Sequence, residues 1–337
     1  QQLGLTSLIN AKKPTPLDEA KNIIYILRNV YYDAVGELYA YIKSNVRNEE
    51  FENYNILKLG FWPGGDRDGN PYVTANITRE VANELRITLM KCYYNDLKKL
   101  RKKLTFKKVE QPLNDLQKQL YWAMFDPIRS VGYENIIGPL LVIRKSLIDH
   151  YQELYLEDLD LLINKVRIFR THFATLDIRQ DHSKHYLAVE EVLKKNGFIS
   201  ESLDELEEAK LIDLLLHQQM SINASDYTDE IVKDTINNIS QLAEIQDLNG
   251  QEGCNRYIIS NSEDIFSVLF VYGLFRWCGW ESDAITFDIV PLFETMLGMD
   301  RSGDIMQQLY DLPEYREHLE RRNNKQTIML GFSDGTK

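Results

Sequence analysis

Two short apolar runs near the end of the chain each lead directly into charged residues. The run over 285–291 opens onto Glu294, and the run over 327–332 opens onto Asp334 and Lys337. Both runs are rich in Ile, Val, Phe or Thr and bounded by Pro or Gly, which is typical of a buried strand. Because the ends of parallel strands bring separate segments together, we expect these three side chains to be neighbours.

Two carboxylates beside a lysine have a recognisable chemistry. Glu294 and Asp334 would offer the oxygen ligands that a hard cation prefers, and Lys337 would offer an ammonium to an anion. The alternative is that all three are ordinary charges on solvated loops. A similar pattern upstream in the sequence favours the site over that alternative.

The same arrangement of an apolar run followed by a charge occurs around Arg179. This arginine directly follows the apolar run 168–178, where it could meet an anion at a strand end. His182 and His185 come next, three residues apart at a predicted helix start. They could be metal ligands, but we favour surface residues.

A third strand-like run, 57–62, ends at Trp62 and stops at the loop 63–71, which reads PGGDRDGNP. Its three glycines permit backbone angles that other residues avoid. A functional loop is one interpretation. In the structural alternative, Asp66 and Asp68 cap the following helix and Arg67 pairs with one of them.

Composition excludes several classes of protein. The chain has 337 residues, 44% of them hydrophobic, and a net charge of −12, which argues against binding nucleic acid or an anionic membrane surface. The basic stretch Lys98–Lys108 is better explained as a solvated helix end than as a phosphate patch. Three scattered cysteines indicate reduced thiols in a cytosolic protein. The most apolar window, 265–280, is too short and too charged to span a bilayer and predicts a buried helix.

Helical patterns dominate the rest of the chain, and five strand candidates lie near Phe61, Leu176, Ile259, Ile289 and Leu330. Strand followed by helix, repeated, predicts parallel strands with right-handed crossovers. Five strands are too few for a closed eight-stranded barrel. We therefore predict a single, predominantly α domain over 1–337 with a partial parallel β/α (TIM-like) barrel, cut from a longer protein, and a helical, more variable insertion at approximately 195–250.

Four stretches together resemble phosphoenolpyruvate carboxylases. They are KPTPLDEA at 13–20, FWPGGDRDGNPYVT at 61–74, LDIRQDHSKH at 176–185, and the closing pair PLFET at 291–295 with GFSDGTK at 331–337. They occur in that family's order and roughly at its spacing, so the resemblance covers essentially the whole chain.

The resemblance implies a helix-rich fold around a β/α barrel and a carbon–carbon lyase. That enzyme carboxylates phosphoenolpyruvate with bicarbonate to oxaloacetate and phosphate, through carboxyphosphate and an enolate stabilised by Mg²⁺ or Mn²⁺. Carried onto this sequence, it makes Glu294 and Asp334 metal ligands and places Arg179 and Lys337 against the substrate as catalytic and binding residues. Trp62 and Arg67 fall at substrate-binding positions with less defined roles.

The sequence also departs from the family pattern. Gly335 and Thr336 stand where a Ser-Ala pair is common, and the family's TAHPT-type and GRGGS-like motifs do not occur in 1–337. We expect a central fragment that is catalytically incomplete, from a cytoplasmic parent that forms a homotetramer. The main alternative is a non-catalytic helical interaction or regulatory module that retains the motifs. Another metal-dependent, enolate-forming barrel is a weaker alternative.

Overall fold

The structure is a computed structural model that describes residues 13–46, 51–126 and 129–331. Two of the predicted site residues, Asp334 and Lys337, lie outside the described residues. Their roles therefore stay predictions.

Helices make up most of the described chain. The first ones are α1 Pro16–Ile26, a π-helical turn Leu27–Tyr31, α2 Tyr32–Asn45, α3 Ala75–Lys103, α4 Glu110–Ala123, α5 Tyr133–His150 and α6 Leu156–Phe169. The later ones are α7 His182–Lys195, α8 Glu208–His217, α9 Glu230–Asn249, α10 Phe266–Trp277, α11 Met296–Asp311 and α12 Pro313–Arg321. Single 3₁₀ turns lie at Leu203–Glu205, Ala224–Asp226 and Gln251–Gly253.

The described strands are short and all pair in parallel. They are β1 Gly60–Phe61, β2 Thr175–Leu176, β3 Ile178–Asp181, β4 Arg256–Ser260, β5 Asp288–Phe293 and β6 Met329–Leu330. β1 pairs with β2, and β3 to β6 form a four-stranded sheet in chain order. An isolated parallel bridge between Asp66 and Arg179 continues the first pairing onto β3.

All five strand candidates are thus confirmed, the one near Leu176 being divided into β2 and β3. The predominantly α class with parallel strands is confirmed as well. Parallel strands in chain order, joined by helices, suit a β/α barrel. Closure into a partial barrel stays a prediction.

The two faces of the sheet have different neighbours, because successive side chains of a strand point to opposite sides. One face belongs to the large apolar core shared with the helices, to which β4 and β5 contribute Tyr257, Ile259, Ile289 and Phe293. The other, called here the second face, carries a small separate cluster of Ile258, Val290 and Leu292 with Met329 against it. By the same alternation the charged residues Asp177, Arg179, Arg256, Asp288 and Glu294 belong to the second face.

The segment 195–250 contains α8 and α9. Helix α9 buries Val232, Ile236 and Ile239 in the large core and packs against α3 and α7. The segment is therefore helical and part of the core, whereas its variability stays a prediction.

Two sequence interpretations of local segments are confirmed. Every residue of α10 after Phe266 is buried, and the guanidinium of Arg276 donates to the backbone oxygen of Leu215 at 2.7 Å. The basic stretch Lys98–Lys108 forms the end of α3 and the loop after it. Among the described residues, no helix is long and apolar enough to cross a membrane.

Candidate active site

Arg179, on β3, lies among the charged residues of the second face. Its Nη2 atom is 2.7 Å from Asp68 Oδ2 and 3.8 Å from Glu294 Oε2, and its Nη1 atom is 3.6 Å from Asp66 Oδ2. The guanidinium also faces the Trp62 ring, 5.5 Å from the ring centroid. The structure therefore brings together five of the residues on which the sequence analysis focused: Arg179 in β3, Glu294 directly after β5, Trp62 directly after β1, and Asp66 and Asp68 in the loop 63–71.

The loop 63–71 reaches Arg179 because its backbone adds to β3. Arg67 N donates to Arg179 O at 2.8 Å, and Arg179 N donates to Gly65 O at 2.9 Å. At Gly65 there is no room for a side chain, since a Cβ would lie 2.0 Å from the backbone oxygen of Asp177. This close approach sets the loop's two aspartates against β3.

The structural alternative for this loop was wrong in its partners. The N-cap of α3 is Thr74, which accepts from Ile77 N, and neither loop aspartate caps the helix. Arg67 forms its ion pair with Asp234 on α9, and Asp66 and Asp68 both pair with Arg179. A partner on α9 could not be found from the loop's own sequence, because the two segments meet only in the tertiary fold.

Asp234 fastens the loop to two helices. Its Oδ2 atom accepts from Arg67, and its Oδ1 atom accepts from the backbone N–H of Ala75 at 2.9 Å, at the first turn of α3. The Arg67 side chain is 3% exposed, and its Nε and Nη1 have no hydrogen-bond partner among the described residues. Burial lowers the pKa of Arg67. A direct contact of Arg67 with substrate stays a prediction, and its observed contact anchors the loop.

Glu294 directly follows β5 and is 8% exposed. Its Oε1 atom accepts from the backbone N–H of Asn261, after β4, at 2.9 Å, and its Oε2 atom is the one near Arg179. On the other side Gly331 donates its N–H to Phe293 O at 2.9 Å. A Cβ on Gly331 would lie 2.3 Å from the Glu294 Cβ, so this position has room only for glycine.

Trp62 is hydrogen-bonded to Asp177, a residue that the sequence analysis did not single out. Its Nε1–H donates to Asp177 Oδ2 at 3.1 Å, and Asp177 Oδ1 accepts from Arg256 Nε at 2.7 Å. A signal existed in the sequence: Asp177 is two residues before Arg179 in a segment that the apolar run predicts to be extended, which places both on one face.

Burial shapes the acidity of these carboxyls. It raises the pKa of Asp66, an effect that the nearby Arg179 guanidinium only partly offsets. It also raises the pKa of Asp177 against the opposing effects of Arg256 and Trp62. These carboxyls therefore depend on their cationic partners to stay ionised.

The surface interpretation of the two histidines was wrong for His185. Its side chain is fully buried, with Nε2 2.9 Å from the Tyr257 hydroxyl, and burial lowers its pKa to about 3. His182 is partly buried and its ring stacks on Phe270, 5.7 Å between centroids. Both face the helical core because the helix α7 that carries them packs there.

The acidic side chains at this site offer carboxylate oxygens, the ligands that a hard cation prefers. Over the described part of the chain, no group of three or more His, Cys, Asp or Glu side chains is arranged to hold a metal ion. Mg²⁺ needs only one or two carboxylates, with water and substrate oxygens completing its shell. Glu294 supplies one such carboxylate, and the second predicted ligand, Asp334, follows β6, the strand paired with β5.

Comparison with known proteins decides the family. The model of the family described as Phosphoenolpyruvate carboxylase matches residues 1–124 and 126–337. The chain belongs to the phosphoenolpyruvate carboxylase family. It is 29% identical over 374 residues to a phosphoenolpyruvate carboxylase of Haemophilus influenzae, an alignment that covers 98% of this chain and 41% of that relative.

Two further phosphoenolpyruvate carboxylases have similar coverage. The protein of Aliivibrio salmonicida is 27% identical over 369 residues, covering 98% of this chain and 41% of the relative. The protein of Nitrosomonas eutropha is 27% identical over 393 residues, covering 100% of this chain and 42% of the relative. The chain thus spans about two fifths of the length of the phosphoenolpyruvate carboxylases it matches.

Proposed function

We propose that this chain is the central part of a phosphoenolpyruvate carboxylase, a carbon–carbon lyase that forms oxaloacetate and phosphate from phosphoenolpyruvate and bicarbonate. The observation that carries the proposal is the meeting of Arg179, within β3, and Glu294, directly after β5, with Nη2 and Oε2 3.8 Å apart. In parallel β/α proteins substrates bind at the carboxyl ends of the strands, which is where Glu294 lies. A guanidinium that can bind an anion, next to a carboxylate that can bind a cation, suits a substrate with a phosphate and a carboxylate.

Arg179 is the proposed anion-binding residue. A planar guanidinium presents paired N–H groups that match a phosphate or carboxylate better than an ammonium does. The Nε atom of Arg179 has no hydrogen-bond partner among the described residues, so one donor is unused. Lys337 would add a second cation from the segment after β6, and Trp62 and Arg67 would border the same site.

Glu294 and Asp334 are the proposed ligands of Mg²⁺ or Mn²⁺. When bound, the cation supplies positive charge that stabilises negative charge developing on substrate oxygens. Glu294 is prepared for this role by its fixed Oε1, which accepts from Asn261 N and leaves Oε2 directed toward Arg179. Arg179 and Lys337 would bind and orient the anionic groups of the substrate and neutralise their charge during transfer.

The remaining proposals concern the whole protein. We infer that the strands of this chain form part of a TIM-like β/α barrel that other segments of the parent complete. Because the chain spans about two fifths of its relatives, we expect the 337 residues alone to form no oxaloacetate. We further propose that the parent is a cytoplasmic homotetramer.

The test uses the full-length protein that contains this chain. Oxaloacetate formation would be measured with phosphoenolpyruvate, bicarbonate and Mn²⁺ for the wild type, Arg179→Lys and Glu294→Gln. We expect Arg179→Lys to lower kcat/KM for phosphoenolpyruvate about a hundredfold, because a lysine cannot reproduce two-point binding of an anion. Glu294→Gln should raise the Mn²⁺ concentration needed for half-maximal rate.

Arg144→Lys is the matched control, because Arg144 forms a comparable 2.6 Å ion pair with Asp160 between α5 and α6, away from this site. It should leave all constants unchanged. Wild-type kcat/KM in folded Arg179→Lys, together with a wild-type Mn²⁺ requirement in Glu294→Gln, would overturn the proposal.

A further inference from the structure

The second face of the sheet carries a layer of ion pairs beneath the proposed site. At the level of β4 Arg256 and β5 Asp288, which are register partners, two carboxylate–arginine pairs lie side by side. Asp177 Oδ1 is 2.7 Å from Arg256 Nε, and Asp288 Oδ1 is 2.6 Å from Arg322 Nε. Within the described ranges, the first of these pairs is linked to Arg179 and the second is not.

That link runs through Trp62. Asp177 uses both carboxylate oxygens, Oδ1 for Arg256 and Oδ2 for the Trp62 indole N–H at 3.1 Å. The Asp177 residue is 6% exposed, whereas Trp62 is 37% exposed. A half-exposed aromatic ring next to a ligand site needs a fixed point to keep one orientation, and a buried charged acceptor provides a strong one.

The Trp62 ring in turn faces Arg179. The guanidinium carbon lies 5.5 Å from the ring centroid, within the range of a cation–π contact. Asp66 and Asp68 approach the Nη atoms of the same guanidinium. The ring therefore limits the motion of Arg179 in a direction that the carboxylates leave open.

We infer that Asp177 is a positioning residue for the proposed reaction: its carboxylate fixes the Trp62 indole, and the indole fixes the Arg179 guanidinium. The role in the reaction rests on the proposed function of Arg179 in binding substrate. The chain of contacts Arg256–Asp177–Trp62–Arg179 does not depend on that function. Asp177 reaches the proposed substrate site through its hydrogen bond to Trp62.

Loss of the contact between Asp177 and Trp62 should weaken substrate binding more than it slows turnover. Asp177→Asn keeps the size of the side chain and removes its charge, so the indole N–H keeps only a weaker acceptor. Trp62→Phe removes the N–H and keeps a ring. In the full-length protein we expect each variant to raise KM for phosphoenolpyruvate about tenfold while kcat falls less than about threefold.

The first measurement reads the position of Trp62 without relying on activity. The full-length protein would be labelled with 5-fluorotryptophan, and Trp62→Phe would assign the ¹⁹F resonance of Trp62. Asp177→Asn should shift or broaden that resonance. Asp288→Asn is the matched control, because it breaks the neighbouring pair in the same layer and should leave the resonance in place. An unmoved Trp62 resonance in folded Asp177→Asn would overturn the inference.

The second measurement is a double-mutant cycle on KM. If Asp177 acts through Trp62, Trp62→Phe combined with Asp177→Asn should raise KM no further than either single change does. Additive increases would overturn the inference. Should Asp177→Asn fail to fold, as judged by circular dichroism, an unchanged KM in Trp62→Phe would overturn it alone.

The two hypotheses can fail separately. If Arg179→Lys leaves KM unchanged while Asp177→Asn moves the Trp62 resonance, the proposed function of Arg179 is overturned and the positioning of Trp62 is upheld. If Arg179→Lys raises KM and the resonance does not move, the proposed function is upheld and the positioning role of Asp177 is overturned.

Discussion

Arg179 and Asp68 are 111 positions apart in the sequence and form an ion pair of 2.7 Å between Nη2 and Oδ2. Asp66 and Glu294 add two more carboxylates within 4 Å of the same guanidinium. Three carboxylates thus lie around the single positive charge of Arg179. An anionic substrate that binds Arg179 must compete with them.

Removing one of these charges should therefore favour the substrate. We predict that Asp68→Asn in the full-length protein lowers KM for phosphoenolpyruvate about threefold at low ionic strength, because the amide keeps an acceptor without the charge. The effect should shrink as salt screens the charges. Steady-state kinetics at two salt concentrations measure both. Asp158→Asn is the control, because it removes the charge of a surface carboxylate that lies 2.7 Å from Lys103 Nζ. A raised KM in Asp68→Asn would contradict the prediction.

The contact between Gly331 and Glu294 gives a second prediction. Gly331→Ala should displace Glu294, because the new Cβ would come 2.3 Å from the Glu294 Cβ. We expect a rise of about tenfold in the Mn²⁺ concentration for half-maximal activity, since about 1.4 kcal/mol corresponds to that factor. Gly303→Ala is the control: it lies inside α11 with open space around it, and alanine there should stabilise the helix by about 0.5–1 kcal/mol. A normal metal requirement in Gly331→Ala would show that the Glu294 carboxylate does not need its present position.

Asp234 is predicted to hold the loop 63–71 in place. Asp234→Ala would leave the buried Arg67 without its charged partner, at a cost of about 3–5 kcal/mol to the free energy of unfolding. Urea denaturation measures this cost, and hydrogen exchange of the Arg67 amide reports whether the loop detaches from β3. Glu230→Ala on the same helix, whose partner Lys233 is at the surface, should change stability by less than about 1 kcal/mol. Equal effects of the two variants would refute an anchoring role for Asp234.

Buried histidines predict a loss of stability in mild acid. Burial, reinforced by Arg170 for His172 and by Arg322 for His318, lowers the pKa of each to about 4. The unfolded chain has histidines with a pKa near 6.5 and so binds protons that the folded chain excludes as pH falls from 6.5 toward 4. Each histidine should therefore lower the free energy of unfolding by up to about 1.4 kcal/mol for each pH unit of acidification across that window. Above pH 6.5 it should not make the free energy of unfolding depend on pH.

Urea midpoints of this chain between pH 8 and pH 5 would measure that slope, and His318→Gln should flatten it. His217 is the contrasting control. It is largely exposed, and its hydrogen bonds to Glu314 and Asp213 raise its pKa, so its small contribution is present at low pH and is lost as pH rises. His217→Gln should leave the acid slope unchanged, and a His318→Gln curve that is as steep as the wild type would exclude His318 as a source.

Local sequence determined much of the fold. The Thr15 side chain accepts from Asp18 N and Pro16 opens α1, which are the residue types that favour a helix start. The five strand candidates and the buried helix α10 follow from runs of apolar residues, because the burial that such runs require is nearly independent of the partner segment. The motif order was also enough to indicate the family that the comparisons establish.

Partners between distant segments were decided only by the tertiary structure. The loop aspartates could have capped α3, and the sequence could not show that Thr74 takes that place while Arg67 pairs with α9. Histidine at a helix start is usually a surface residue, and the sequence analysis expected that for His185. It is buried because α7 directs its side chain toward Tyr257. The same holds for Asp177, whose contacts with Trp62 and Arg256 join three segments. Local sequence patterns predict which segments form helices or buried strands. An ion pair, in contrast, forms only where the packing of whole elements brings two charges within about 4 Å.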